Sequence, residues 1–460
     1  MALGPTRQRA RSAALAAVLV VAAVLRLPRA VLRWDETSWL YAAYDHHTLE
    51  ALANGRWSEA LAFTGLHPPL YPLIHAALEL LIPVPAVLLA LSVLCSWGAV
   101  LVVARHHVVA GLMLACAPVQ LHYAAELNDY PLTALAVACV WVTRERVAAG
   151  TMGWGWLAAA GVFAAWSHAL AGLVAGLAAL SIGRRAPAVL AVMVIGTAPL
   201  WPGALDALSE PGTLDQPPFK ARLVLPDALD RFGPAWLGWL PLAALGARTR
   251  PALAGGVLGT WLLILLLQVA GLAAPHQFPY YVLLGAPLAL LASPTGRGAH
   301  WAVALAGWCG LTSLTRSGEA LLALHADQAR GRAIDLALAT APPAAALYLL
   351  APPVLPDDDK RADSPVLWRL PPWQPMPMVQ AFPFEYGDHR NGQPRRVGDR
   401  VVYLNDWPRP AIAEAVQAHG ELWIVVSDPG ERRSYTSELA DTLGAGLQVV
   451  GPDVLIVARR

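Results

Sequence analysis

Hydrophobic residues along this chain gather into repeated runs of roughly 15 to 22 positions joined by short polar connections, the pattern of helices that cross a membrane. The runs predict crossings at residues 12–27, 86–104, 108–121, 131–142, 153–166, 169–183, 187–203, 234–247, 252–271, 279–294 and 299–315. Several are short for a hydrocarbon core of about 30 Å and must borrow flanking residues. One more apolar run, 68–82, carries Pro72, His75 and Glu79 and ends in Pro83-Val84-Pro85.

Whether residues 68–82 cross decides the sidedness of everything downstream, and the distribution of arginines arbitrates. If they do not cross and the N-terminus is inside, the inner connections hold Arg105, Arg144, Arg146, Arg184, Arg185, Arg248, Arg250 and Arg297. The short outer connections around Glu126, His168 and Gln277 then hold no Lys or Arg. The opposite choice flips nearly every arginine-bearing short loop outward. The run is therefore expected to form a juxtamembrane or re-entrant helix on the outer face, where Glu79 and His75 are inexpensive. Asp35-Glu36, His67, Glu126 to Asp129 and His276-Gln277 then share that face.

After Arg316 the pattern changes to short β-type runs at 346–350, 400–404, 422–427 and 454–458, with helical character at 410–419 and 432–443. The expected organisation is an α-helical polytopic domain over 1–320, with a first outer loop at 28–85, and a small α/β domain over 321–460 on the outer side. Its apolar strands suggest a mainly parallel, covered sheet. No glycine-rich phosphate fingerprint opens any of its helices.

Composition sharpens this picture. A chain of 460 residues would ordinarily suggest two or three soluble domains, but 56% hydrophobic and 14% charged residues make it a polytopic membrane protein. The first run follows Arg7, Arg9 and Arg11 as a signal peptide would, yet no small-x-small cleavage site lies between Leu27 and Trp34, so it is expected to stay as an anchor. A net charge of +1 gives no concentrated basic face for nucleic acid. Cys95, Cys116, Cys139 and Cys309 lie in apolar runs without paired spacing, indicating neither a disulfide framework nor a zinc site. The preference for Ala, Leu and Arg over Lys points to a GC-rich bacterium, hence an inner membrane with a periplasmic outer face.

With so few charges, Asp35 and Glu36 at a membrane boundary stand out as a site. A carboxylate there can take a proton from an attacking hydroxyl, bind a divalent cation or orient a substrate; the competing reading is a helix N-cap. In His67-Pro68-Pro69-Leu70-Tyr71 the prolines fix a helix entry, and the imidazole is held at its mouth, where it can donate to a phosphate. Glu126-Leu127-Asn128-Asp129-Tyr130-Pro131 opens a crossing on the same face. Its acidic groups could bind an acceptor or a metal, and capping explains Asp129 well and Glu126 poorly. His122 and Tyr123 could line the same cavity. His168 is weaker, since a satisfied core histidine fits equally well. His276 and Gln277 offer donors at a crossing start, while Tyr280 and Tyr281 also fit an interfacial aromatic belt. Lys220, Arg222 and Arg231 are a phosphate clamp or solvated loop charges.

The Asp-Glu pair in the first outer loop, the His-Pro-Pro-Leu helix and the acidic-x-x-x-Tyr-x-Leu segment at Glu126, Tyr130 and Leu132 together resemble the GT-C membrane glycosyltransferases. The nearest branch is the dolichyl-phosphate-mannose protein mannosyltransferase-like group, with bacterial aminoarabinose and lipopolysaccharide-core sugar transferases. The resemblance covers residues 12–315. It implies a polyprenyl-phosphate sugar donor, a glycan, lipid or protein acceptor, and inverting transfer on the outer face. Asp35 would be the base, Glu36 its support, and His67 would lie near the donor phosphate, with Lys220, Arg222 or Arg56 supplying positive charge. Glu126, Asp129, Tyr130, His168, His276 and Gln277 would line the cavity; a divalent cation, if used, would sit at Asp35 or Glu126. The chain departs from the family in two places: 84–94 has no arginine, and Asn128-Asp129 replaces the arginine after Glu126. A secondary transporter should show internal repeats and midplane helix breaks, and none is evident. A non-catalytic partner with an outer binding domain leaves Asp35, Glu36 and His67 without a shared purpose.

Overall fold

A computed structural model describes residues 5–27, 51–61, 67–81, 85–124, 128–209, 238–269, 278–293 and 298–312, together with six strands and isolated positions between 340 and 458. They fall into two units, one helical and one built on a sheet.

The helical unit follows the apolar runs. Its helices are α1 (Pro5–Arg26), α2 (Leu70–Leu81), α3 (Pro85–His106), α4 (Val108–Ala115), α5 (Pro118–His122), α6 (Tyr130–Ala148), α7 (Trp154–Ser167), α8 (Ala169–Leu180), α9 (Ala186–Thr197), α10 (Trp201–Ser209), α11 (Trp239–Ala247), α12 (Pro251–Val269), α13 (Val282–Leu291) and α14 (298–312). Where the sequence reading drew one span through 108–121, the helix stops at Cys116 and restarts at α5. Pro118 is the reason: it lacks an N–H and its ring would strike the preceding turn, so it serves as the first residue of a new helix. Run 187–203 is divided in the same way by the 3-10 turn Ala198–Leu200, which contains Pro199. Run 279–294 begins as the 3-10 turn Phe278–Tyr281 before α13.

Helix α6 is central, packed against α3, α7, α8 and α13, and its Trp141 is fully buried. The bundle closes on small residues, as lipid-embedded helices do when apolar burial cannot drive their association. At Gly246 of α11 a Cβ would overlap the Leu291 carbonyl oxygen of α13, which is backbone and cannot swing aside. Gly246→Ala is therefore expected to cost about 1–3 kcal/mol of overpacking. Gly255→Ala in α12, where nothing lies within 4 Å, should be neutral or slightly stabilising. Thermal unfolding in detergent separates the two, and equal melting temperatures would contradict the close packing.

Outward, the bundle shows Val20, Leu94, Trp156, Ile195, Leu258, Leu266, Trp301 and Trp308, all exposed. So broad an apolar surface suits a lipid environment. By length and composition, Gln8–Arg26 and Gly183–Leu205 are long and apolar enough to cross a membrane. Arginines collect toward one end: Arg11 Nη2 donates to the Arg105 carbonyl at 2.8 Å, Arg144 Nε to Ser181 Oγ at 2.7 Å, and Arg250 Nη1 to the Leu290 carbonyl at 2.7 Å. Helix α6, about 28 Å long at 1.5 Å per residue, starts beside Asp129 and carries Arg144 and Arg146 near its other end.

The second unit is a six-stranded sheet of β1 (Ala346–Leu350), β2 (Arg395–Val397), β3 (Arg400–Leu404), β4 (Glu421–Val426), β5 (Gly446–Gly451) and β6 (Val454–Ala458), in the order β2-β3-β1-β4-β6-β5. The expected strands at 346–350, 400–404, 422–427 and 454–458 are present within a residue. The expectation of a mainly parallel sheet is corrected: β1 runs parallel to β3 and β4, while β2 with β3, β4 with β6 and β5 with β6 are antiparallel. The missed strands are the two edges. Each pairs across a two-residue connection, Gly398-Asp399 after Val397 and Pro452-Asp453 after Gly451, and the first is a recognised hairpin signal. The helical stretches expected at 410–419 and 432–443 lie almost wholly outside the described residues.

Candidate functional site

Two helix starts and one helix junction bring the site together. Pro68-Pro69 precede α2, whose first turn is closed by Leu73 N–H donating to the Pro69 carbonyl at 2.9 Å, and His67 sits just before them. Asp129 precedes α6, with Pro131 at a position that has no N–H to waste. His168 stands between α7 and α8, as the C-cap of one and the N-cap of the other.

These three residues meet. His67 Nδ1 donates to Asp129 Oδ2 at 2.8 Å, with Asp129 buried and His67 mostly so. The His67 and His168 rings meet edge-on with centroids 5.1 Å apart. One ligand-type atom from each of His67, Asp129 and His168 lies within 4.8 Å of the other two. Tyrosines wall the cluster: Tyr130 is 6.0 Å from His67 and 6.1 Å from His168, Tyr123 is 5.5 Å from Tyr130, and Tyr280 is 5.8 Å from His168, between ring centroids.

Hydrogen-bond chemistry assigns the protons. A carboxylate can only accept, so the His67 Nδ1 facing Asp129 carries hydrogen, leaving Nε2 as the reactive nitrogen. This is the arrangement by which a carboxylate fixes the tautomer and direction of a working imidazole. His168 is set the other way. Its Nδ1 accepts from the Leu170 backbone N–H at 3.1 Å, capping α8, so in the neutral ring the hydrogen is on Nε2. That Nε2, and Asp129 Oδ1, are buried and have no hydrogen-bond partner among the described residues.

A divalent cation needs lone pairs from each ligand, and this set does not fit one well. With Nδ1 of His168 committed to its helix and Nε2 protonated, that ring offers no free lone pair unless it gives up its remaining hydrogen.

His168 is held well below the usual histidine range, at about 4: burial is the main cause, Asp129 opposes it and His67 adds to it. The unfolded chain, with an ordinary imidazole, thus binds more protons than the folded one between pH 6.5 and about 4. Stability should fall as the pH drops through that window, by at most about 3 kcal/mol. His168→Asn, which can still cap α8, should flatten the acid limb of a stability-against-pH profile; an unchanged limb would mean that His168 does not titrate as its burial requires.

The sequence reading is met unevenly here. His67, Asp129, Tyr130 and His168 come together as one cluster. The capping alternative for Asp129 is overturned: it occupies the N-cap position but makes no side-chain cap bond, its carboxylate turning to His67 instead. Neighbouring Asn128 takes the local backbone bond, its Oδ1 accepting from Tyr130 N–H at 3.0 Å. Arg56 forms an exposed pair with Glu59 at 2.6 Å. Asp35, Glu36, Glu126, Lys220, Arg222, His276 and Gln277 lie outside the described residues. Tyr280, which also fitted an aromatic belt, is buried against His168.

Arg26 escaped sequence reasoning altogether. At the end of α1 it is wholly buried, with Nε donating to Ser96 Oγ at 2.9 Å and Nη1 to the Ala115 and Ala22 carbonyls at 3.0 and 3.3 Å. Its signal was present, as an arginine closing an apolar run.

No protein-family model matches this chain, nor does any curated protein. Among solved structures it is similar to ArnT from Cupriavidus metallidurans bound to undecaprenyl phosphate, at 14% identity over 97% of both chains with a TM-score of 0.55. It is similar also to the apo state of the same protein, at 15% identity over 98% of both chains with a TM-score of 0.55. At such identities the likeness establishes the fold, which is the GT-C fold.

Proposed function

We propose that this chain is an inverting glycosyltransferase that moves a sugar from a polyprenyl-phosphate donor to a glycan, lipid or protein acceptor at the outer face of a bacterial inner membrane. The observation that carries this reading is the buried His67–Asp129–His168 cluster in a chain whose fold follows, over 97% of its length, that of a protein solved with undecaprenyl phosphate. The acceptor hydroxyl attacks the anomeric carbon, the bond from that carbon to the phosphate oxygen breaks, and polyprenyl phosphate leaves with the electron pair. A phosphate leaving group needs charge stabilisation more than a proton, which His67 can give when both ring nitrogens carry hydrogen, Nδ1 toward Asp129 and Nε2 toward the phosphate, with Lys220, Arg222 or Arg56 adding positive charge. The attacking hydroxyl must lose its proton, the role given to Asp35, with Glu36 holding the acceptor or a cation. Glu126, Asp129, Tyr130, His168, His276 and Gln277 shape the cavity. With the N-terminus inside, the arginine-rich end of the bundle faces the cytoplasm, and the cluster and the sheet unit face the periplasm.

The test is transfer of labelled sugar from undecaprenyl-phosphate donors in membranes carrying the full chain, comparing wild type with Asp35→Asn and His67→Ala. Wild type should transfer and both variants should lose the activity; equal transfer by all three would remove the catalytic assignment. Sidedness is checked by an impermeant thiol reagent, expected to label Glu79→Cys from outside and to leave Arg105→Cys protected.

A further inference from the structure

Two buried polar atoms of opposite character in this cluster have no hydrogen-bond partner among the described residues. Asp129 is 4% exposed and His168 1%. Asp129 Oδ1 can only accept, and His168 Nε2, because Nδ1 caps α8, can only donate. Leaving either unsatisfied in a buried site costs about 1–3 kcal/mol, so each requires a reason.

One chemical group satisfies both at once. A hydroxyl donates one hydrogen and accepts through its oxygen. If its bonds are about 2.7 Å to a carboxylate oxygen and about 2.9 Å to a ring N–H, it bridges atoms up to roughly 5.6 Å apart. Two such atoms about 4.8 Å apart would set the angle at the hydroxyl oxygen at roughly 120°, near what its lone pairs and hydrogen prefer, and the cluster gathers Asp129 and His168 on that scale. A phosphate oxygen could take the His168 donor but would bring a second negative charge against Asp129. A cation could sit on Asp129 but would meet the hydrogen of His168. The flanking rings of Tyr130, Tyr123 and Tyr280 provide the apolar and aromatic wall against which a sugar face packs.

We infer that Asp129 and His168 form a hydroxyl-reading subsite that recognises one ring hydroxyl of a sugar, with Asp129 accepting from it and His168 donating to it. The inference rests on the glycosyltransferase reading and deepens it. Asp129 thereby has two tasks, one oxygen orienting His67 and the other selecting the substrate. Sugars lacking that hydroxyl, or carrying it in the opposite configuration, are rejected because both buried groups would stay unpaired.

The experiment measures binding to the purified full chain in detergent. Its probes are undecaprenyl phosphate, a panel of undecaprenyl-phosphate-linked hexoses and pentoses, and the monodeoxy analogues of the tightest-bound conjugate. Wild type should bind one deoxy analogue roughly 10- to 100-fold more weakly than the parent and the others nearly as well as the parent. His168→Asn, which keeps the helix cap while withdrawing the Nε2 donor, should lower that discrimination about tenfold. A purely capping His168 predicts no change in discrimination. The same comparison with methyl glycosides, added to protein already saturated with undecaprenyl phosphate, tells whether the hydroxyl belongs to donor or acceptor. Discrimination on either supports the subsite. Conjugates that bind with no hydroxyl preference, or a preference untouched by His168→Asn, overturn it while leaving the glycosyltransferase reading intact. So does a preference that vanishes with a chelator and returns with Zn2+. If neither undecaprenyl phosphate nor any conjugate binds, both readings fall together.

Discussion

Asp129→Ala is expected to lower sugar transfer by roughly 100- to 1,000-fold, the range in which one positioned donor to developing negative charge contributes to a rate. The loss has two sources. Without Oδ2 the His67 ring is no longer held with Nδ1–H toward Asp129, so in the proposed mechanism Nε2 would face the leaving group only part of the time. Without Oδ1 the sugar subsite loses its acceptor. Asp129→Asn separates them, because its side-chain oxygen can still receive the His67 hydrogen; about a tenfold loss is expected, mostly in kcat. His67→Ala should match Asp129→Ala, and the double variant should be little worse than either, since residues acting as one unit are not additive. If Asp129→Ala kept a third or more of wild-type transfer while folding normally, the cluster would be a packing feature and the active centre would have to be sought elsewhere.

What the sequence made legible depended on the kind of information each feature carries. The bundle was readable because lipid demands long apolar runs and proline breaks helices by local sterics. Pro118 and Pro199 mark their breaks in the sequence, inside runs whose apolar character is otherwise continuous. The three members of the cluster, His67, Asp129 and His168, were readable as polar residues at span ends, but their pairing was not. Asp129 and His67 are 62 positions apart, and nothing local says that the carboxylate of an N-cap residue turns away from its own helix. Asn128 allows it, by taking the local backbone bond that capping would have given Asp129. His168 is the mirror case. Histidine is not among the usual cap residues, so its capping of α8 carried no sequence signal, and the functional consequence comes from which nitrogen does the capping, a matter of geometry. In the sheet unit the edge strands β2 and β5 were missed because a three-residue strand and one bounded by glycines carry little apolar signal; partner strands supply what the local sequence lacks.

Arg26→Ala should be among the most destabilising single changes in the helical unit, at about 3–5 kcal/mol. The guanidinium ties three elements at one point: its own helix through Ala22, α3 through Ser96, and the end of α4 through Ala115. Alanine leaves a cavity the size of the lost side chain and strands the Ala115 carbonyl, where the helix ends at Cys116 ahead of Pro118 and cannot find a substitute donor. Arg26→Met refills most of the volume without restoring the hydrogen bonds, so it should recover part of the loss, about 1–2 kcal/mol. Arg26→Lys restores the charge but not the planar fork that reaches Ser96 and Ala115 together, and should fall between Met and wild type. Thermal unfolding in detergent ranks the four proteins, and the order Ala, Met, Lys, wild type is the expected one. Should Arg26→Met instead exceed wild type, the charge would be a net cost to folding that the hydrogen bonds to Ser96, Ala22 and Ala115 do not offset.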